Sequence, residues 1–235
     1  GSAALQVRLA RVFNAAGVPV MEGYGLTESS PVISVNDLRN DGLRFGTVGK
    51  PILGKLHICA EDGRELPVGE DGIVYFELPK MSFEYYHDAA KTRSAQHPEH
   101  ANWSALGDVG HVDAEGYLYL TDRATFMIIS GGVNIYPQEI EDALVLHPKI
   151  ADVAVVGVPD PEMGEAVKAV VQLAAGNTPS PALADEIIAY ARQHVAHYKC
   201  PRSVDFLDEL PRLPTGKLYK RLLKDRYWGK TGSRI

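Results

Sequence analysis

Only two cysteines occur in this sequence, Cys59 and Cys200, far apart and with no CxxC neighbour. That pattern argues against a disulfide framework and against a zinc site, and a reducing compartment fits it best. No apolar run approaches the roughly 18 residues of a membrane span, and no charged-then-apolar leader opens the sequence, so a cytoplasmic protein is expected. Basic residues are not in excess: 24 Lys and Arg stand against 30 Asp and Glu, for a net charge of -6. Nucleic acid is therefore not an expected partner. The one basic cluster, residues 217–226, alternates with Leu218, Leu222, Leu223 and Tyr227 at helical spacing, as a solvated helix face does. A phosphate loop of the GxxxxGK[ST] type is missing as well.

What is present is an ordinary globular composition, 45% hydrophobic and 23% charged over 235 residues, enough for one large domain or two smaller ones. The first element reads as a helix, with Leu5, Leu9, Val12, Phe13 and Ala16 on one face and Gly17 and Pro19 as the stop. A short strand is expected at 18–21. Hairpins follow at 55–78, turning near Asp62 and Gly63, and at 109–121, turning at 114–116. Beyond Asp122 strands and helices mix: a strand at 126–130, a helix at 137–146 opened by Pro137, and strands at 150–158 and 166–173. A further helix starts at Pro181, with Ser180 as its cap and Leu183, Ile187, Ile188, Ala191 and Val195 as its apolar stripe. The expectation is α+β, with a β-rich segment over 1–121 and a small α+β domain over 122–235.

Five short motifs carry chemistry. Gly23 to Glu28 reads GYGLTE. Glycines let a flat ring approach the backbone, Tyr24 can cover that ring, Thr27 can donate to a phosphate oxygen and Glu28 can hold magnesium; most such segments are simply turns. Asp108 at a hairpin edge and the pair Asp122-Arg123 offer a carboxylate for ribose hydroxyls, or an ordinary surface ion pair. Gly131-Gly132 is either a tight loop or a place where a thin ligand passes. Finally LPRLPTGK, ending at Lys217, fixes a loop that delivers one lysine just before a helix.

The order and spacing of these motifs together resemble the adenylate-forming superfamily of acyl-CoA synthetases, luciferases and peptide-synthetase adenylation domains. The match runs from Gly1 to about Arg226, strongest in GYGLTE, GTVGKP at 46–51, Gly107-Asp108, DRATFMIISGGVNIYPQEIE at 122–141 and LPRLPTGK. The resemblance implies the β-rich end of a large AMP-binding domain, a hinge near 122–125 and a small mobile C-terminal domain. It implies an ATP-dependent acid-CoA ligase, acting on a fatty or other apolar carboxylic acid, with ATP, Mg2+ and coenzyme A as cofactors.

Position by position, the resemblance sets Gly23 and Tyr24 against adenine, together with Ser2 and Ala3. Thr27 would meet the α-phosphate and Glu28 the magnesium ion, while Asp108 and Arg123 would hold the ribose. Leu120 would pack near adenine, Gly131 and Gly132 would line the pantetheine tunnel, and Lys217 would be the lysine required for adenylation. In the family the small domain rotates between half-reactions, so that Lys217 serves only the first.

Departures stand at the hinge, where Thr125 and Phe126 replace the usual charged residues, and at Leu213, where threonine is common. The Ser/Thr/Gly-rich phosphate loop is expected upstream of Gly1, so the segment by itself is expected to be inactive. An adenylation enzyme serving a carrier protein is the nearest alternative, although this sequence ends 18 residues after Lys217 with no carrier module. A binding or regulatory fragment without chemistry is the other. A homo-oligomer is compatible with each.

Overall fold

The computed structural model describes every residue except 1–4, 6, 30, 31, 39–42, 82, 215 and 230–235, together with the side chain of Leu106, which is also left out. The chain divides into two compact units between Ala124 and Thr125, three residues beyond the boundary expected from the sequence.

The first unit opens with α1 (Val7–Ala15), which buries only Ala10 and leaves Leu9, Val12 and Phe13 exposed. Residues 18–22 form no strand. Pro19 has no N–H to give a ladder, and pairing begins only at β1 (Gly23–Tyr24), which joins β2 (Ser34–Val35) and β3 (Lys50–Pro51) in an antiparallel sheet. A second antiparallel sheet runs β4 (Lys55–Cys59), β5 (Gly72–Glu77), β6 (Trp103–Val112) and β7 (Leu118–Arg123) in sequence order. The expected turn at Asp62-Gly63 is there, with Gly63 at φ 89° and the Arg64 amide donating to Asp62 Oδ1 at 3.0 Å. Between β5 and β6, α2 (Ala89–Ser94) is capped by Asp88, whose carboxylate accepts from the Lys91 amide at 2.9 Å.

Tyr24, Ile33, Ile58, Val74, Phe76 and Leu118 form the core that joins these sheets. The segment GTVGKP closes it. Thr47, 1% exposed, donates to the Leu118 carbonyl, while the Leu118 amide donates to the Gly49 carbonyl at 2.9 Å. Gly49 has φ 90°, and a Cβ there would lie 2.0 Å from the Val35 backbone, so only glycine fits.

The second unit is α+β. Its sheet has the order β10-β11-β8-β9, built from β8 (Ile128–Ser130), β9 (Val133–Ile135), β10 (Ile150–Asp160) and β11 (Gly164–Leu173). The strand β12 (Ser203–Phe206) pairs with β11 in parallel. The apolar run of β10 is explained by burial on both faces. Val153 and Val155 pack in one core with α3 (Pro137–Leu144) and α4 (Pro181–His194). Ala154 and Val156 face the other, which contains Leu210 and, from α5 (Lys220–Trp228), Leu223. Ser180 caps α4 as the sequence implies, accepting from the Leu183 amide at 3.1 Å. Ala124–Phe126 is a turn of 3-10 helix, so the expected strand at 126 starts two residues later.

Candidate nucleotide and lysine sites

Three residues singled out in the sequence meet in the first unit. The Tyr24 hydroxyl donates to Asp108 Oδ2 at 2.6 Å, and Arg123 Nε lies 3.2 Å from Asp108 Oδ1. Strand pairing explains part of this, because Asp108 and Arg123 are opposite each other in the β6–β7 register. Tyr24 comes from β1 and joins through the core. Asp108 is only 6% exposed, and a carboxylate so placed is stable only with such partners. Burial, and then the charge of Asp108, push the Tyr24 hydroxyl far above the usual tyrosine range, so it stays a donor. Leu120 packs against the same core as Tyr24, whereas Gly23 is exposed on β1.

Thr27 and Glu28 lie on a short 3-10 turn, Thr27–Ser29. Ser29 pins that turn by accepting from the Leu26 amide and donating to the Leu26 carbonyl, each at 2.8 Å. Thr27 is exposed. Glu28 accepts a 3.2 Å hydrogen bond from the Tyr85 hydroxyl, 57 positions away. Tyr85 was not visible as a functional candidate in the sequence; no local spacing links it to Glu28. Among the described residues no group of three or more His, Cys, Asp or Glu side chains could hold a metal. A lone carboxylate nonetheless suits Mg2+ carried in on phosphates, which needs only one or two protein carboxylates. Ser2 and Ala3 lie outside the described residues.

In the second unit Gly131 and Gly132 are the two-residue turn between β8 and β9, with φ of 58° and 81°. Two successive positive φ values are what a tight hairpin turn demands, and glycine meets that demand. Gly131 is further restricted, since its amide donates to the Met163 carbonyl at 2.9 Å and a Cβ would approach Met163 Cε to 2.4 Å. Beside this turn is a cleft of about 650 Å³ lined in part by Gly131, Met163, Arg192, His197, Cys200 and Arg202.

Lys217 ends a loop that closes on itself. The Leu213 amide donates to the Lys217 carbonyl and the Tyr219 amide to the Pro211 carbonyl, both at 2.8 Å. Arg212 donates to the Gly216 carbonyl at 2.6 Å and pairs with Asp152. Two side chains unnoticed in the sequence lie just beyond. Lys220, 7% exposed, places Nζ 2.8 Å from Oε1 of the equally buried Glu141. Glu141 had appeared only as the last letter of a motif.

The sequence model for AMP-binding enzymes matches residues 1–86, and that for the AMP-binding enzyme C-terminal domain matches 139–217. A feruloyl-CoA synthase from Amycolatopsis sp is 36% identical over 97% of this chain and 45% of its own length. A long-chain-fatty-acid–CoA ligase from Bacillus subtilis is 37% identical over 95% of this chain and 39% of its own. Among solved structures, ATP-bound MatB from Rhodopseudomonas palustris superposes with a TM-score of 0.86 at 32% identity, covering 97% of this chain and 44% of MatB. The o-succinylbenzoate CoA synthetase of Bacillus subtilis bound to its acyl-adenylate gives 0.80 at 29% identity, over 99% and 46%. This chain thus spans less than half the length of the relatives it matches. It belongs to the adenylate-forming family of AMP-binding enzymes.

Proposed function

We propose that the full-length protein carrying this sequence is an ATP-dependent acid-CoA ligase, which forms an acyl-adenylate and then an acyl-CoA. The observation that carries the reading is the convergence of Tyr24, Asp108 and Arg123. It provides an aromatic ring held in place by its own hydroxyl and a carboxylate oriented by an arginine, the equipment for a purine and its ribose.

In the first half-reaction a carboxylate oxygen of the acid attacks the α-phosphorus of ATP and pyrophosphate leaves. Negative charge grows on the nonbridging and leaving oxygens, and catalysis requires groups that meet it there. Thr27 donates to an α-phosphate oxygen, and Lys217 supplies the positive charge. Glu28, steadied by Tyr85, would hold a magnesium ion, which when bound neutralises phosphate charge. In the second half-reaction the thiol of coenzyme A attacks the acyl carbonyl and AMP leaves. Gly131 and Gly132 would line the path of pantetheine, with open space at Gly132, and Arg192, His197 and Arg202 of the adjoining cleft suit the phosphates of coenzyme A.

The acid is an apolar one, aliphatic or aromatic. This rests on similarity to a feruloyl-CoA synthase and to fatty-acid-CoA ligases. The test is acid-dependent exchange of labelled pyrophosphate into ATP, measured on the full-length protein with dodecanoate, ferulate, anthranilate and o-succinylbenzoate. Exchange with dodecanoate or ferulate, followed by thioester formation on adding coenzyme A, is expected. No exchange with any of the four would overturn the reading.

A further inference from the structure

Lys217 is a flexible cation on a loop, yet the chemistry proposed for it needs a fixed position. The next helix, α5, begins three residues later at Lys220 and lacks the usual means of fixing its start. Its N-cap residue Tyr219 makes no side-chain cap bond, and its first turn holds no acidic residue. A lysine at that end also opposes the positive end of the helix dipole. The fold buries it there all the same.

Lys220 Nζ is 2.8 Å from Glu141 Oε1 on α3, both side chains being less than a tenth exposed. The same oxygen accepts a 2.6 Å hydrogen bond from the Val155 amide in the middle of β10. Lys220 also stands over the Phe126 ring, 5.4 Å from its centroid, at the first residues of the second unit. The Lys220–Glu141 pair therefore ties α5 to α3, to β10 and to the segment that follows the division between units. A buried ion pair is a poor source of net stability, since a well-packed apolar pair often serves as well; in some proteins such a pair instead fixes one setting of the elements it joins.

We infer that Glu141 and Lys220 are positioning residues for Lys217, fixing where α5 starts and hence where the preceding loop presents its lysine. The inference rests on the reading of Lys217 as the adenylation lysine. Glu141 and Lys220 act through that loop and touch no substrate.

The test uses the full-length protein, the acid of the panel above that gives the highest exchange, and the adenylate of that acid prepared chemically. In Lys220→Met, pyrophosphate exchange is expected to fall by about tenfold or more while transfer from added adenylate to coenzyme A stays within about twofold. Lys220→Arg, which keeps the charge, should recover most of the exchange. The double variant Glu141→Gln/Lys220→Met leaves no buried charge unpaired and should fold, with transfer intact and exchange still low.

Unchanged exchange in either folded variant lacking the charge overturns the inference. So do an equal loss of both half-reactions and a double variant that fails to fold, because the pair is then only structural. Lys217→Ala separates the two levels. If it leaves exchange unchanged, the reading of Lys217 fails; if it abolishes exchange while Lys220→Met does not reduce it, only the positioning role fails.

Discussion

The hydroxyl of Tyr24 hydrogen-bonds Asp108 at 2.6 Å across 84 positions of sequence. In Tyr24→Phe the ring stays and the donor goes, leaving a buried carboxylate with one hydrogen bond fewer. A loss of about 1–3 kcal/mol in unfolding free energy is expected, together with weaker ATP binding because Asp108 is less well oriented. Urea unfolding and nucleotide titration of the variant measure the two; unchanged values in both would remove Tyr24 from the site.

Lys217 and the glycine turn should fail in opposite directions. Lys217→Ala removes a charge needed only while phosphate charge develops, so exchange should drop by about 10²-fold or more with transfer from premade adenylate preserved. Gly131→Ala forces a left-handed alanine and a Cβ into Met163 Cε at 2.4 Å. It should cost roughly 1–2 kcal/mol and slow transfer to coenzyme A more than exchange. Gly132→Asn, which tolerates positive φ and meets nothing within 4 Å at its Cβ, is the control for the fold. Single-turnover assays of each half-reaction discriminate these outcomes.

Gly49→Ala tests the GTVGKP segment. The added Cβ overlaps the Val35 backbone at 2.0 Å and the residue sits at φ 90°, so strain and overpacking combine. A loss of about 2–5 kcal/mol is expected, readable as a lower melting temperature. A melting temperature equal to that of the native protein would show that the segment yields where the structure says it cannot.

Alkaline pH should destabilise the first unit through Cys59. Burial first, then the charges of Glu65 and Asp62, push its thiol up from an ordinary 9.0 to about 11. An acid raised in the folded state adds stability that is complete below its unfolded value and is lost as pH climbs toward the folded one. The urea midpoint should therefore decline between about pH 9 and 11, and less steeply in Cys59→Ala. Equal slopes would mean that the buried thiol is not the titrating group.

Much of this protein was legible because it rests on local rules. The Ser180 cap, Pro137 at a helix start, and the hairpin at 55–78 each follow from a few adjacent residues. The GYGLTE, Gly131-Gly132 and Lys217 motifs were found the same way, by spacing and resemblance. Residues 18–21 have the apolar content of a strand but include Pro19, whose missing N–H leaves the start of pairing to Gly23.

Tertiary structure alone decided who partners whom. Nothing near Glu28 announces Tyr85. Nothing in the repeated apolar letters of β10 says that Val155 faces one core and Val156 the other until helices cover both sides. The sequence by itself determined the elements, the turns that require glycine and the family, since each depends on residues close in the chain. The meeting of Tyr24 with Asp108 and the burial of Lys220 against Glu141 depend on packing, because a charge or donor is committed to a partner only where folding has removed water from it.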